Sequence, residues 1–165
     1  MRKTTRVFSI FCAVLCIALL ASCNNSDLSS GEMSINEVKS VVFKSDFPEM
    51  VELGKSQLSN YYNFEEKWLD EFSVYIADSE TSSDEVGIFR IASKDYVKDV
   101  VAAVEQRVNT QISMLNNQNE VELQKLSDRI LLQRDDIIVM VISGEGKDIS
   151  KRLIDDYGFS TVVVQ

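Results

Sequence analysis

Hydrophobic positions along the chain follow three patterns. Val7–Ser22 is apolar except for Ser9 and the terminal Ser22, and it follows Met1–Arg6, which carries Arg2, Lys3 and Arg6 and no acid. A basic start followed by a short apolar run is the layout of a signal peptide, predicted here over residues 1–22. The run falls short of the roughly 20 residues that a membrane-spanning helix needs. Asn24–Met33 is polar and has no repeating apolar face. It predicts a flexible tether, and a coil of that length spans about 16–19 Å. From Ser34 onward, apolar residues recur at helix or strand spacing.

Ser34-x-x-Glu37 fits a capping box, and Ile35, Val38, Val41 and Val42 follow on one helical face. Pro48 suits the first position of a second helix, with Met50, Leu53 and Leu58 as its apolar side and an end near Tyr61–Asn63; Gly54 weakens it. Phe72, Val74 and Ile76 alternate with Ser73, Tyr75 and Ala77 and predict a strand. The polar loop Asp78–Asp84 joins it to a second strand over Val86–Ile91. Ser93 then opens a long helix whose apolar face is Val97, Val100, Val101, Val104, Val108, Ile112 and Leu115.

Asn116–Asn119 breaks that helix, and Asn119-x-x-Glu122 starts a short one to about Ser127. Ile130–Gln133 and Ile137–Ile142 flank a tight turn at Arg134–Asp136. Ile137–Ile142 is apolar at every position, which predicts a strand covered on both faces. A last helix is predicted over Asp148–Tyr157, ended by Gly158, and Thr161–Val164 has the composition of an edge strand. Together these elements predict an α+β domain over residues 34–165. Its mainly antiparallel sheet has four or five strands with helices packed on one face, and two hairpin–helix units recur.

Composition narrows the chemistry. The chain has no His, so imidazole acid–base catalysis and His metal ligation are excluded. Its three cysteines are Cys12, Cys16 and Cys23, and the first two fall inside the apolar leader. A disulfide framework, a thiol nucleophile and a zinc site are therefore not expected in the domain. The whole chain carries a formal charge of −9; without residues 1–22 it has 14 Lys and Arg against 26 Asp and Glu. Nucleic acid, whose phosphates require basic patches, is excluded as a partner class. So is flat adsorption on anionic lipid.

The apolar leader ends in Leu20-Ala21-Ser22-Cys23, which resembles a bacterial lipobox. The resemblance implies cleavage before Cys23 and a diacylglyceryl thioether on its sulfur, leaving residues 23–33 as a lipidated cysteine and tether. An ordinary secretory leader with an incidental cysteine is the alternative. Two acyl chains give a stable anchor where one is marginal, at about 0.8 kcal/mol per buried CH₂.

Asp84–Arg90 followed by a long helix, then Leu126–Ile130, Asp136–Ser143 and a short acidic-basic helix, give a further resemblance. Together they resemble a family of small lipoproteins of unknown function common in clostridia and related Gram-positive bacteria, over most of Ile35–Tyr157. The resemblance implies a surface lipoprotein on the outer face of the cytoplasmic membrane. It carries no activity, catalytic residue or cofactor.

Several clusters invite chemistry. Glu65, Glu66, Asp70, Glu71, Asp78, Glu80, Asp84 and Glu85 are offset only by Lys67 within Glu65–Glu85. They read as a solvated acidic hairpin, since no calcium-loop spacing is present. Tyr61, Tyr62, Phe64, Trp68 and Phe72 read as core, with Tyr61 or Tyr62 the exposed exception, against a sugar-stacking surface. Ser143–Lys147 lacks the full phosphate-loop spacing and reads as a connector. Asp155-Asp156 are neighbours that do not share a helical face. The expected function is a non-catalytic binding or envelope-assembly module, with an envelope protein or cell-wall component as partner. The alternative is an envelope-directed hydrolase or transferase using carboxylate, Ser or Lys.

Overall fold

Every residue from Ile137 to Ile142 is buried, and that determines the architecture. The computed structural model describes residues 33–115 and 119–162. Residues 1–32, and with them the expected leader, Cys23 and most of the tether, lie outside the described residues, as do 116–118 and 163–165. In chain order the elements are α1 (Ile35–Val42), β1 (Met50–Glu52), α2 (Lys55–Tyr61), β2 (Leu69–Ala77) and β3 (Glu85–Ile91). They continue with α3 (Val97–Leu115), α4 (Glu120–Ser127), β4 (Ile130–Arg134), β5 (Ile137–Ile142), α5 (Gly146–Tyr157) and β6 (Ser160–Thr161). The strands form one sheet in the order β1-β2-β3-β5-β4-β6. Every neighbouring pair is antiparallel.

Successive residues of β5 point to opposite faces, and both faces are dry. Ile137, Val139 and Val141 join Val86 and Ile88 of β3 against Ile35, Val38, Val41 and Val42 of α1 and Ile149 and Leu153 of α5. Ile138, Met140 and Ile142 join Phe89 and Ile91 against Leu58 of α2, Val100, Val104 and Val108 of α3, and Leu126 of α4. The fold is thus α+β with an open antiparallel sheet between two helical layers. The expectation of helices on one face is corrected. Local periodicity shows which residues bury but not which face of the sheet they cover, and only the fully apolar Ile137–Ile142 required two covers.

The sheet has six strands among the described residues, not four or five: an edge strand is present at Ser160–Thr161, where one was expected over Thr161–Val164, and the very short β1 at the other edge is the additional one. The apolar spacing of Met50, Leu53 and Leu58 predicts a helix here, and the structure corrects it for Met50–Glu52. Instead its backbone pairs with Ala77, Ile76 and Tyr75 of β2, and the Leu53 N–H donates to Val74 O at 2.8 Å. Helix α2 begins only after Gly54, whose own N–H is capped by Gln57 Oε1 at 2.9 Å.

Other local signals hold. Ser34 and Glu37 form the reciprocal capping box of α1. Gly158 ends α5 in the left-handed conformation, at φ 70°. Asp135 takes φ 52° in the β4–β5 turn, a conformation that Asp tolerates better than most side chains. Met33, the last residue of the expected tether, is buried in the α1–α5 layer.

Candidate functional site

The Asp78–Asp84 loop feeds Glu85 into the first position of β3, opposite Ile76 of β2 and Ile142 of β5. Glu85 shares a sheet face with Gly87, Phe89 and Ile91, so its carboxylate enters the layer of α2 and α3. It is 1% exposed. A buried charge survives only if paired and hydrogen-bonded, and here three residues supply the partners, Tyr62 just after α2 and Arg107 and Gln111 on α3. The Tyr62 hydroxyl donates to Oε1. Arg107 donates to Oε2 through Nη2 at 2.7 Å and Nε at 3.1 Å. Gln111 Nε2 also donates to Oε2. Burial pushes the Tyr62 phenol well above its ordinary value, and the adjacent Glu85 adds to that shift. Tyr62 therefore stays a donor throughout the neutral range. Arg107 also lies over the Tyr61 ring, 4.9 Å from its centroid.

A second polar knot joins the loop to α4. Ser83 donates to Glu122 Oε2 from both its backbone N–H and its hydroxyl, each at 2.7 Å. Lys125 bridges Asp84 Oδ2 at 2.7 Å and Glu122 Oε1 at 2.9 Å. The Ser82 hydroxyl donates to Asp84 Oδ2 at 2.6 Å. Burial alone would raise the Glu122 carboxyl, but the Ser83 amide, Lys125 and the Ser83 hydroxyl together bring it below the ordinary value of 4.5. Burial likewise opposes the charge on Lys125, and its bonds to Asp84 and Glu122 outweigh that, raising it.

The sign of the pH effect follows. A carboxyl lowered in the folded state contributes stability above about pH 4.3 that is lost as pH falls through the folded value. The stability difference between the native chain and Glu122→Gln is therefore expected to shrink as pH drops from about 6 to about 3, followed by urea denaturation. A difference constant over that window contradicts the assignment. Lys125 and Tyr62, both raised, contribute stability that is lost only on the alkaline side.

Between these two knots lies a cleft of about 510 Å³ lined by the β2–β3 loop, the end of α2 and the last turns of α3. Asp78 and Glu80 are exposed in its wall, beside Tyr61 and the largely exposed Met114. A larger groove of about 940 Å³ runs between the outer side of α3 and β6.

The acidic stretch therefore divides in two. Glu65, Glu66, Asp70, Glu71, Asp78 and Glu80 are exposed, as read. Asp84 and Glu85 are buried and ion-paired, which corrects the reading of a uniformly solvated hairpin. Among the described residues no group of three or more Asp, Glu, Cys or His could hold a metal ion. Of the aromatics, Tyr62 is core and stacks on Phe64, while Tyr61 stays 36% exposed. Ser143–Glu145 is a connector, closed by Gly146 N–H donating to Ser143 O at 3.2 Å, while Gly146 and Lys147 already open α5, two residues before the helix start expected at Asp148.

Sequence reasoning missed Arg107, Gln111, Glu122 and Lys125. Gln111 takes the inward place on α3, whereas Ile112, read as part of the apolar face, is 36% exposed. The spacing 104, 108, 111 and the alternation 85, 87, 89, 91 were the available signals, both hidden by the polar identity of Gln111 and Glu85.

An α+β domain with a buried carboxylate network beside a cleft is the class that fold and site define. A family model described as a domain of unknown function, DUF4358, matches residues 44–143, and the chain belongs to that family. The match takes in the whole Glu85 network and cleft, whereas α1 and α5 lie outside it. No curated protein and no solved structure matches the chain.

Proposed function

We propose that this protein is an extracytoplasmic lipoprotein. Acylated Cys23 holds it on the outer face of the cytoplasmic membrane, and its domain serves as a non-catalytic binding or envelope-assembly module. The observation that carries the anchor is the sequence Met1–Cys23: a basic start, a short apolar run, then Leu-Ala-Ser-Cys. No helix among the described residues is long and apolar enough to cross a membrane. The proposed partners are membrane lipid through Cys23 and an envelope protein or cell-wall component.

The point where the tether meets the domain supports this reading. Met33 O accepts from Arg90 Nη2 at 2.7 Å, and Met33 Sδ lies 3.4 Å from Arg134 Nη1. Arg90 lies five residues along β3 from Glu85, or about 17 Å at strand rise. Met33 is thus held at the opposite end of β3 from Glu85 and the cleft. The binding reading also suits the side chains around that cleft: Asp84, Glu122, Lys125 and Ser83 are tied to one another, and Glu85 to Tyr62, Arg107 and Gln111, rather than held ready for reaction.

The test is fractionation of cells expressing the native chain or Cys23→Ser. The native chain is expected with membranes and in the detergent phase, and the variant in the aqueous fraction. Equal aqueous partitioning of both overturns the proposal.

A further inference from the structure

Gln111 is 8% exposed, lines the cleft, and has one bond to spare. Its Nε2 must face the Glu85 carboxylate, because only the amide nitrogen can donate there. That leaves Oε1, which accepts no hydrogen bond among the described residues. A buried carbonyl without a donor is unfavourable, and such groups are rare enough to need a reason.

The cleft lining also includes Asp84, whose Oδ2 accepts from the Ser82 hydroxyl and from Lys125. The cleft wall carries Asp78, Glu80, Asp84 and Glu85 against Arg107. Counting Lys125, which already pairs with Asp84, the balance is still two negative charges. Ile76, Ala77, Met114 and Leu115 supply apolar wall between these acceptors. The volume, about 510 Å³, lies in the range of small-molecule sites.

We propose that this cleft binds an alkylammonium group, carried by a polyamine or by the lysine side chain of a peptide. The ammonium donates to Gln111 Oε1, which has no donor among the described residues, and to the Asp84 carboxylate. The methylene stem lies along Ile76 and Met114, and the rim acids Asp78 and Glu80 attract the cation. The exposed Tyr61 ring adds a cation-binding surface of the kind it already offers Arg107. This names the ligand class of the binding module proposed above and rests on that reading, but not on the acyl anchor.

The test is calorimetric titration of the full chain in nonionic detergent with spermidine and, separately, with trilysine. Saturable one-site binding of at least one is expected. Binding of spermidine alone assigns the site to free polyamine, and binding of trilysine alone assigns it to a peptide. Gln111→Met keeps the net charge and is expected to weaken binding about tenfold. The rim variant Asp78→Asn with Glu80→Gln alters only exposed side chains, so it should fold normally, and is expected to weaken binding about fivefold. It decides the matter if Gln111→Met does not fold. No saturable heat with either amine at millimolar concentration overturns the proposal. So does native-like affinity in a folded Gln111→Met, which would reduce the effect to general attraction by an acidic surface. Neither result touches the partitioning that tests the anchor.

Discussion

Glu85→Ala is expected to destabilise the domain by about 3–5 kcal/mol, measured by urea denaturation. An intact buried ion pair contributes little net stability, because desolvation offsets its attraction. Removing one partner is different. The Arg107 side chain, only 11% exposed, would keep its desolvation cost without a counter-charge. The Tyr62 hydroxyl and the Gln111 amide would lose their acceptor in the same step. The double variant Glu85→Ala with Arg107→Ala is therefore expected to cost less than the sum of its singles. Glu80→Ala, in the same acidic stretch but exposed, is expected to stay within about 0.5 kcal/mol of the native chain. Equal costs for Glu85→Ala and Glu80→Ala would mean that the hairpin is solvated throughout, as its composition alone suggests.

Phe89→Ala is expected to cost a comparable amount, about 3–5 kcal/mol. The ring is fully buried on the α2–α3 face, edge-on to Tyr62 at 5.4 Å and to Phe64 at 5.1 Å between centroids. It also lies over Gly87, where a Cβ would come within 2.6 Å of Phe89 Cζ. The ring thus fills the space that a glycine in a central strand leaves open, and it steadies the Tyr62 ring whose hydroxyl serves Glu85. Gly87→Ala alone is expected to destabilise by overpacking, about 1–3 kcal/mol. The same change in a Phe89→Ala background is expected to cost much less, because the obstructing ring is gone. A cost below about 1 kcal/mol for Phe89→Ala would contradict this packing.

Both predictions concern residues whose roles depend on distant partners, and that separates what the sequence disclosed from what it did not. The capping box at Ser34, the hairpin strands, the span of α3 and the double burial of Ile137–Ile142 are local properties of periodicity and capping. The placement of β1 was not local. Met50, Leu53 and Leu58 satisfy a helical spacing, but the backbone of Met50–Glu52 is claimed by the open edge of β2. The assignment of α1 and α5 to one face and of α2, α3 and α4 to the other was likewise set by packing across the chain.

The site was the least legible part. Glu85 and Asp84 look like their exposed neighbours Asp78 and Glu80 until Arg107, Gln111, Glu122 and Lys125 are brought in from α3 and α4. The anchor is the reverse case. Its evidence is a contiguous run of sequence, and it lies outside the described residues.

Intact mass of the mature protein, with tandem sequencing of its N-terminal peptide, tests the central proposal most directly. The expected species begins at Cys23 and carries a diacylglyceryl group on that sulfur. A mature chain whose Cys23 is a free thiol, or whose leader is cut at another bond, would contradict it.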